Sequence, residues 1–452
     1  MSSNKLCIVC FALEWGSWFK FSSTGAIEKV RYKRKDGTIA QSPLGQQWGY
    51  YTSFDNTKNP LGGQNSGAYI FRPNDPNEEL TPINPVNVTH VNISGIVQEM
   101  HIEFDQPWIK QVYRFYGREP SFEVEFTVGP IPIDDGVGKE VVLRYLTDLE
   151  TKGVFYTDSN GREFQKRTRS YRETWNLTEF EPVAGNFYPV NAAAYIEDDF
   201  ASLAIAVDRT QGAASLIDGA VEFMVQRRLI ADDHRGVSEC LNETVGGMNP
   251  YPPYGDAARV GEGVVITGKH QLLFGDKMSG ASGARSMMDG AFVDPLVFAA
   301  SEQAGTRVPF RKTAFSRMKN SLPPNVMLIT FAPMPSKPNT FLIRLGHQYA
   351  AGEDDELSKP VSVSLFKLVR GRDIKTVTEK TLSGNLDYND WVKNRKVWDL
   401  EMEEAVEAVT ERRLSIAPDG ECMVDLNPME IRTFEVELEE APSHHEDWAY
   451  KL

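Results

Sequence analysis

FEVEFTV, residues 122–128, decides the fold class. Phe122, Val124, Phe126 and Val128 alternate with Glu123, Glu125 and Thr127. A period of two puts one apolar and one polar face on an extended chain, the signature of a half-buried strand. The same reading covers SLAIAV (202–207), EFMVQ (222–226), GVVITGKHQLLF (263–274), NTFLIRL (339–345) and FEVEL (434–438). Asp36-Gly37, Asn160-Gly161, Asp218-Gly219 and Asp419-Gly420 accept the positive φ of tight hairpin turns, so the runs are predicted to pair antiparallel. YTDSNGREF (156–164) reads as one such hairpin, with Asn160-Gly161 at its tip. Helical spacing is scarce: MEEAVEAVTERR (402–413) places Met402, Val406 and Val409 on one face, and is a helix or an acidic loop. Residues 277–325, rich in Gly, Ser, Ala and Pro, read as a connector between a large β-domain (1–276) and a smaller one (326–452). The fold class expected is all-β.

With 452 residues, 41% of them hydrophobic, the chain can bury a large core. Its 63 acidic and 48 basic residues give a net charge of −15, which repels phosphate backbones and sets nucleic acid aside as a partner. No apolar stretch approaches the roughly 20 residues that span a bilayer. The N-terminal MSSNKLCIVCFALEWGSWF reads as a buried strand rather than a signal segment, since it lacks a small-residue cleavage site. Cys7 and Cys10 form a lone C-x-x-C with no second pair at zinc spacing, so they, Cys240 and Cys422 read as core thiols. N-x-S/T sequons at Asn87, Asn92, Asn176 and Asn242 are candidate glycosylation sites and favour a lumenal or secreted protein.

The seven histidines are scattered, and none has H-x-D or H-E-x-x-H spacing. The His444-His445-Glu446-Asp447 tail reads as solvated rather than ligating. G-x-S-x-G, G-x-x-x-x-G-K-[ST] and G-x-G-x-x-G motifs are missing. Asp134-Asp135, Asp158, Asp198-Asp199, Asp232-Asp233 and Asp354-Asp355 supply the carboxylates that glycoside hydrolysis uses, but each also suits a solvated turn. Trp48, Tyr50, Tyr51, Tyr69, Tyr156 and Tyr188 are the kind of side chain that stacks on sugars, and equally the kind that half-buried strands contain. RRLIADDHRG (227–236) ends a strand in two carboxylates, a histidine and an arginine: a solvated turn, or a sugar-facing loop.

SGAYIFRPN (66–74), VGPIP (128–132), GKEVVLRY (138–145), LETKGVFYTDSNGREF (149–164), EPVAGNFYPVN (181–191), DRTQGAASLIDG (208–219), RRLIADDHRGVSE (227–239), RLGHQYAAGED (344–354) and LNPMEIRTF (426–434) together resemble the C-terminal half of the glycoside hydrolase family 38 α-mannosidases, lysosomal or vacuolar type. The likeness runs in order over about residues 25–438. It implies a large mutarotase-like super-β-sandwich followed by a smaller β-sandwich. It also implies a retaining, zinc-dependent enzyme that removes terminal α-linked mannose from N-glycans in the lysosome or vacuole, or outside the cell. The family's nucleophile, acid/base and zinc-ligand motifs lie upstream of these domains and have no counterpart here. The chain is therefore expected to be inactive alone and to partner an N-terminal catalytic half, in the same or a separate chain, which holds the zinc. By the same resemblance Tyr69 and Arg235 reach the mannose pocket, where a phenol and a planar guanidinium bond sugar or carboxylate oxygens. Asp232 and Asp233 are expected to orient Arg235 by charge-assisted bonds, and His234 sits at a variable place in the motif. Two rival readings are a non-catalytic carbohydrate-binding or scaffold protein derived from the enzyme, and an independent aldose epimerase, which needs a histidine and carboxylate pair at the sandwich cleft.

Overall fold

A computed structural model describes residues 9–12, 18–58, 62–93, 96–117, 119–245, 262–277, 279–292, 296–298, 316, 318, 320–370, 372–396, 414–416 and 421–439. The chain divides into two compact units, Met1–Pro295 and Leu296–Leu452. The first is built on two nine-stranded antiparallel sheets. One runs Val9–Ala12, Trp18–Phe21, Ile27–Lys33, Ile39–Thr52, Lys139–Thr147, Ala220–Arg228, Gln211–Ala214 and Tyr188–Val190, with Thr81–Ile83 also paired to Ile39–Thr52. The other runs Glu163–Thr168, Val154–Ser159, Ala193–Glu197, Ala201–Val207, Ile266–Asp276, Phe122–Val128, Ile109–Tyr116, Val97–Phe104 and Pro85–Ile93. The N-terminal apolar run is a strand over Val9–Ala12, paired with Trp18–Phe21.

Alternation does what FEVEFTV predicts. Phe122, Val124, Phe126 and Val128 are buried while Glu123, Glu125 and Thr127 are half-exposed. The apolar faces of both sheets meet in one cluster. There Phe19 packs on Phe122 (4.6 Å between ring centroids) and Trp48 meets Phe126 edge-on at 5.5 Å. The Asn160-Gly161 tip has positive φ at both residues (53° and 69°), as a type I′ hairpin turn requires. Asp158 locks that hairpin: it is 1% exposed and accepts N–H bonds from Gly161, Asn191, Ala192 and Ala193.

Alternation gives way to continuous burial where a strand's second face is covered as well. Lys139–Leu143 is buried throughout, since Leu80, Val183, Phe71 and Phe187, from loops between strands, lie over Val142 and Tyr51 on the outer face. Ala201–Val207 is fully buried because a helix, Ser279–Phe292, covers it. This corrects part of the expected connector. Its Gly, Ser and Ala content serves close packing: Ala281, Ala284, Met288 and Ala291 recur at helical spacing and are buried, and a Cβ at Gly280 would stand 2.7 Å from Tyr195. The segment 402–413 and Asp419-Gly420 lie outside the described residues.

The second unit has a four-stranded sheet ordered Val326–Pro333, Thr340–His347, Ile431–Leu438, Ile374–Lys380, and a three-stranded one ordered Val361–Ser364, Cys422–Leu426, Ser415–Ile416. Ile343, Leu345, Val424, Phe434 and Val436 form its core. Arg432 and Glu379 make a bidentate pair there (2.6 and 2.9 Å), both under 10% exposed.

Candidate functional site

Two loops of the first unit close on each other: residues 62–72, which leave the Ile39–Thr52 strand, and residues 229–236, which leave Ala220–Arg228. Asp233, 1% exposed, is the clasp. Its Oδ2 accepts the backbone N–H of Tyr69 (2.6 Å) and of Ile70 (3.1 Å), and its Oδ1 accepts that of Arg235 (3.0 Å). Gln64 Nε2 donates to the Asp233 carbonyl at 2.6 Å and Asn65 Nδ2 to the Asp232 carbonyl at 2.8 Å. Gly67 makes the approach feasible, since a Cβ there would lie 2.5 Å from Asp233 Cβ and 2.6 Å from its backbone nitrogen. His234 holds φ at 57° in the turn, and its Nδ1 lies 3.1 Å from Asp232 Oδ2.

This arrangement exposes the two residues the resemblance singles out. Tyr69 is 66% exposed, and Arg235 is exposed beside it on the opposing loop. The expected orienting role of the carboxylates takes a different form. Asp232 and Asp233 accept backbone N–H groups, and Asp233 fixes the Arg235 backbone, but neither holds its guanidinium. Arg235 Nε (2.9 Å) and Nη2 both donate to Gln64 Oε1. Gln64 carried no local motif, and its function appears only when the loops meet.

Beneath the clasp the support is ionic. Arg227 pairs through Nη2 with Glu140 (2.9 Å), which is 1% exposed and also accepts from Ser66 Oγ (2.6 Å). Arg227 Nη2 also donates to the Ile70 carbonyl at 2.8 Å, tying the first loop to the sheet. Further along the same strand pair, Glu222 receives Arg144 at 2.5 Å and the Tyr51 hydroxyl at 2.8 Å. Burial pushes the Glu222 carboxyl up, against the pull of Arg144, and burial likewise raises Tyr51.

Elsewhere the chemistry is structural. His270 lies between the sheets, 0% exposed, its ring nitrogens meeting the Tyr145 hydroxyl (3.0 Å) and Gln211 Oε1 (2.6 Å), a phenol and an amide in place of the carboxylate an epimerase pair needs. Burial lowers its pKa to about 3. Trp48 and Tyr51 are core residues at 1% exposure. Of the sequons, Asn87, Asn92 and Asn176 are exposed, whereas Asn242 is 6% exposed and its Oδ1 accepts Arg228 Nε at 2.8 Å. Cys422 is buried and Cys240 partly so, both as free thiols, while Cys7 and the 444–447 tail lie outside the described residues. Among the described residues no three His, Cys, Asp or Glu side chains converge as a metal site.

Residues 19–235, a span that contains both loops and ends on Arg235, match the family model for the glycosyl hydrolases family 38 C-terminal domain. The chain carries a family 38 C-terminal domain. It is similar to the lysosomal alpha-mannosidase of Bos taurus, 41% identical over 399 residues that cover 87% of this chain and 36% of that protein. It is also similar to the alpha-mannosidase of Canavalia ensiformis, 37% identical over 92% of this chain and 40% of that one. The chain thus spans about two fifths of the length of the curated relatives it matches. A family 38 protein from Enterococcus faecalis shares the fold, with a TM-score of 0.56 at 11% identity over 96% of this chain and 45% of that chain. The all-β, family 38 reading of the sequence is borne out on these grounds.

Proposed function

We propose that this chain is the β-domain portion of a retaining, zinc-dependent α-mannosidase that removes terminal α-linked mannose from N-glycans in the lysosome or vacuole. The catalytic barrel and the zinc belong, in this reading, to an N-terminal half in the same or a separate chain. The observation that carries it is the Asp233 clasp, which presents an exposed phenol and an exposed guanidinium side by side within the matched domain. Guanidinium donors of Arg235 beyond the two that Gln64 takes support a surface completed by another group. Tyr69 and Arg235 then form one wall of the mannose pocket, bonding sugar hydroxyls or a carboxylate of the catalytic half.

An antibody against residues 66–74, used on denatured fractions assayed for α-mannosidase, tests this. Antigen that tracks activity, in one band near twice the 50.7 kDa of this chain or in a smaller band beside a catalytic subunit, is the expected result. Antigen that separates from activity would replace the proposal with the non-catalytic carbohydrate-binding or scaffold reading.

A further inference from the structure

We propose that Gln64 is the positioning residue for Arg235, holding its guanidinium by an uncharged contact so that the positive charge stays available to whatever the pocket receives. The inference rests on the reading of Arg235 as a pocket residue. Four observations build it. The Gln64 amide is fixed at its nitrogen end, where Nε2 donates to the Asp233 carbonyl at 2.6 Å, and this turns Oε1 toward Arg235. Oε1 then receives two N–H groups of one guanidinium edge, Nε at 2.9 Å and Nη2. The Gln64 backbone is anchored in turn, because its carbonyl accepts Arg72 Nη1 at 3.0 Å. Arg72 itself stacks on Phe54 at 4.0 Å and pairs with Glu181 at 2.8 Å.

A long side chain on an exposed loop otherwise samples many rotamers, and fixing it before the partner arrives removes that entropy from the binding step. A carboxylate at the same place would hold the guanidinium as firmly but neutralise it. Asp232 and Asp233 are both within two to three residues of Arg235 in sequence, yet Asp233 accepts backbone N–H groups at both oxygens, Asp232 Oδ2 accepts that of His234, and an amide takes the side chain. One edge of the guanidinium is thereby spent on orientation, and the Nη1 N–H groups and the outer Nη2 N–H face away from Gln64 as donors.

The test is a double-mutant cycle in the α-mannosidase that contains this chain, assayed with 4-nitrophenyl α-D-mannopyranoside. Gln64→Ala and Arg235→Ala are made singly and together, with Gln64→Met, which keeps side-chain length but removes the polar contacts, as a second variant that leaves the Asp233 bonds to Tyr69 and Ile70 in place. Thermal melts confirm folding. The expected result is a loss of about tenfold in kcat/KM for either Gln64 variant, and no further loss when Gln64 is changed in the Arg235→Ala background. If Arg235→Ala lowers kcat/KM but the Gln64 variants do not, or if their losses multiply in the double mutant, the positioning role is wrong and the pocket reading stands. If Arg235→Ala itself leaves kcat and KM unchanged, the pocket reading falls and the positioning role falls with it.

Discussion

Gly67→Ala is the sharpest single test of the clasp. Gly67 is not among the residues with positive φ, so alanine meets no backbone penalty and the substitution probes close approach alone. Its Cβ would stand 2.5 Å from Asp233 Cβ, 2.6 Å from Cγ and 2.6 Å from the backbone nitrogen. Carbon atoms settle at about 3.5–4.0 Å, so the loops must part by about 1 Å. Besides the two bonds from the Arg235 guanidinium to Gln64, four hydrogen bonds cross between them: from the backbone N–H of Tyr69 and of Ile70, from Gln64 Nε2 and from Asn65 Nδ2, at 2.6, 3.1, 2.6 and 2.8 Å. Lengthened by that amount they reach about 3.6 Å or more, beyond useful hydrogen-bond range. At a net value near 1 kcal/mol each, and with water replacing part of them on the exposed side, the loss is about 2–4 kcal/mol. Urea unfolding of the chain, followed by tryptophan fluorescence, measures it. Gly185→Ala is the control, because a Cβ there meets nothing within 4 Å, and it should shift stability by less than about 0.5 kcal/mol. If Gly67→Ala behaved like the control, the two loops would not touch as described and the shared placement of Tyr69 and Arg235 would lose its basis.

Glu222→Ala leaves the Arg144 charge buried without its carboxylate and should cost about 3–5 kcal/mol, while Tyr51→Phe, which removes two hydrogen bonds, one to Glu222 and one from Arg144, should cost about 1–3 kcal/mol; a loss under 1 kcal/mol for Glu222→Ala in urea would contradict a sealed triad. His270 gives a pH signature. Its folded pKa is lowered from 6.5 to about 3, so as pH falls through 6.5 the unfolded chain takes up a proton that the folded protein refuses. Stability should therefore drop by up to about 1.4 kcal/mol per pH unit between those values, and this contribution is flat above them. Urea midpoints at pH 7 and pH 5 check it: His270→Gln should flatten that part of the slope, and equal slopes in both proteins would refute the assignment.

Strand content, turn positions and the all-β class were legible in the sequence because a period of two and an Asn-Gly tip are local properties, as Phe122–Val128 and Asn160-Gly161 show. The helix at Ser279–Phe292 was hidden because its small residues look like a linker until a sheet of Ala193, Ala204 and Ala206 is there to receive them. Asn242 is a sequon by spelling and a buried acceptor for Arg228 by position. The motif DDHRG placed Arg235 near two carboxylates in the chain, and sequence proximity suggested that they hold it. Tertiary structure decided otherwise. Asp233 is spent on the backbone N–H groups of a loop more than 160 residues away, and the guanidinium is held by Gln64 from that same distant loop. Sequence determines which chemical groups are present and how each strand alternates; which donor meets which acceptor is settled by the energy of leaving any of them buried and unpaired, and that depends on chain segments brought together only by folding.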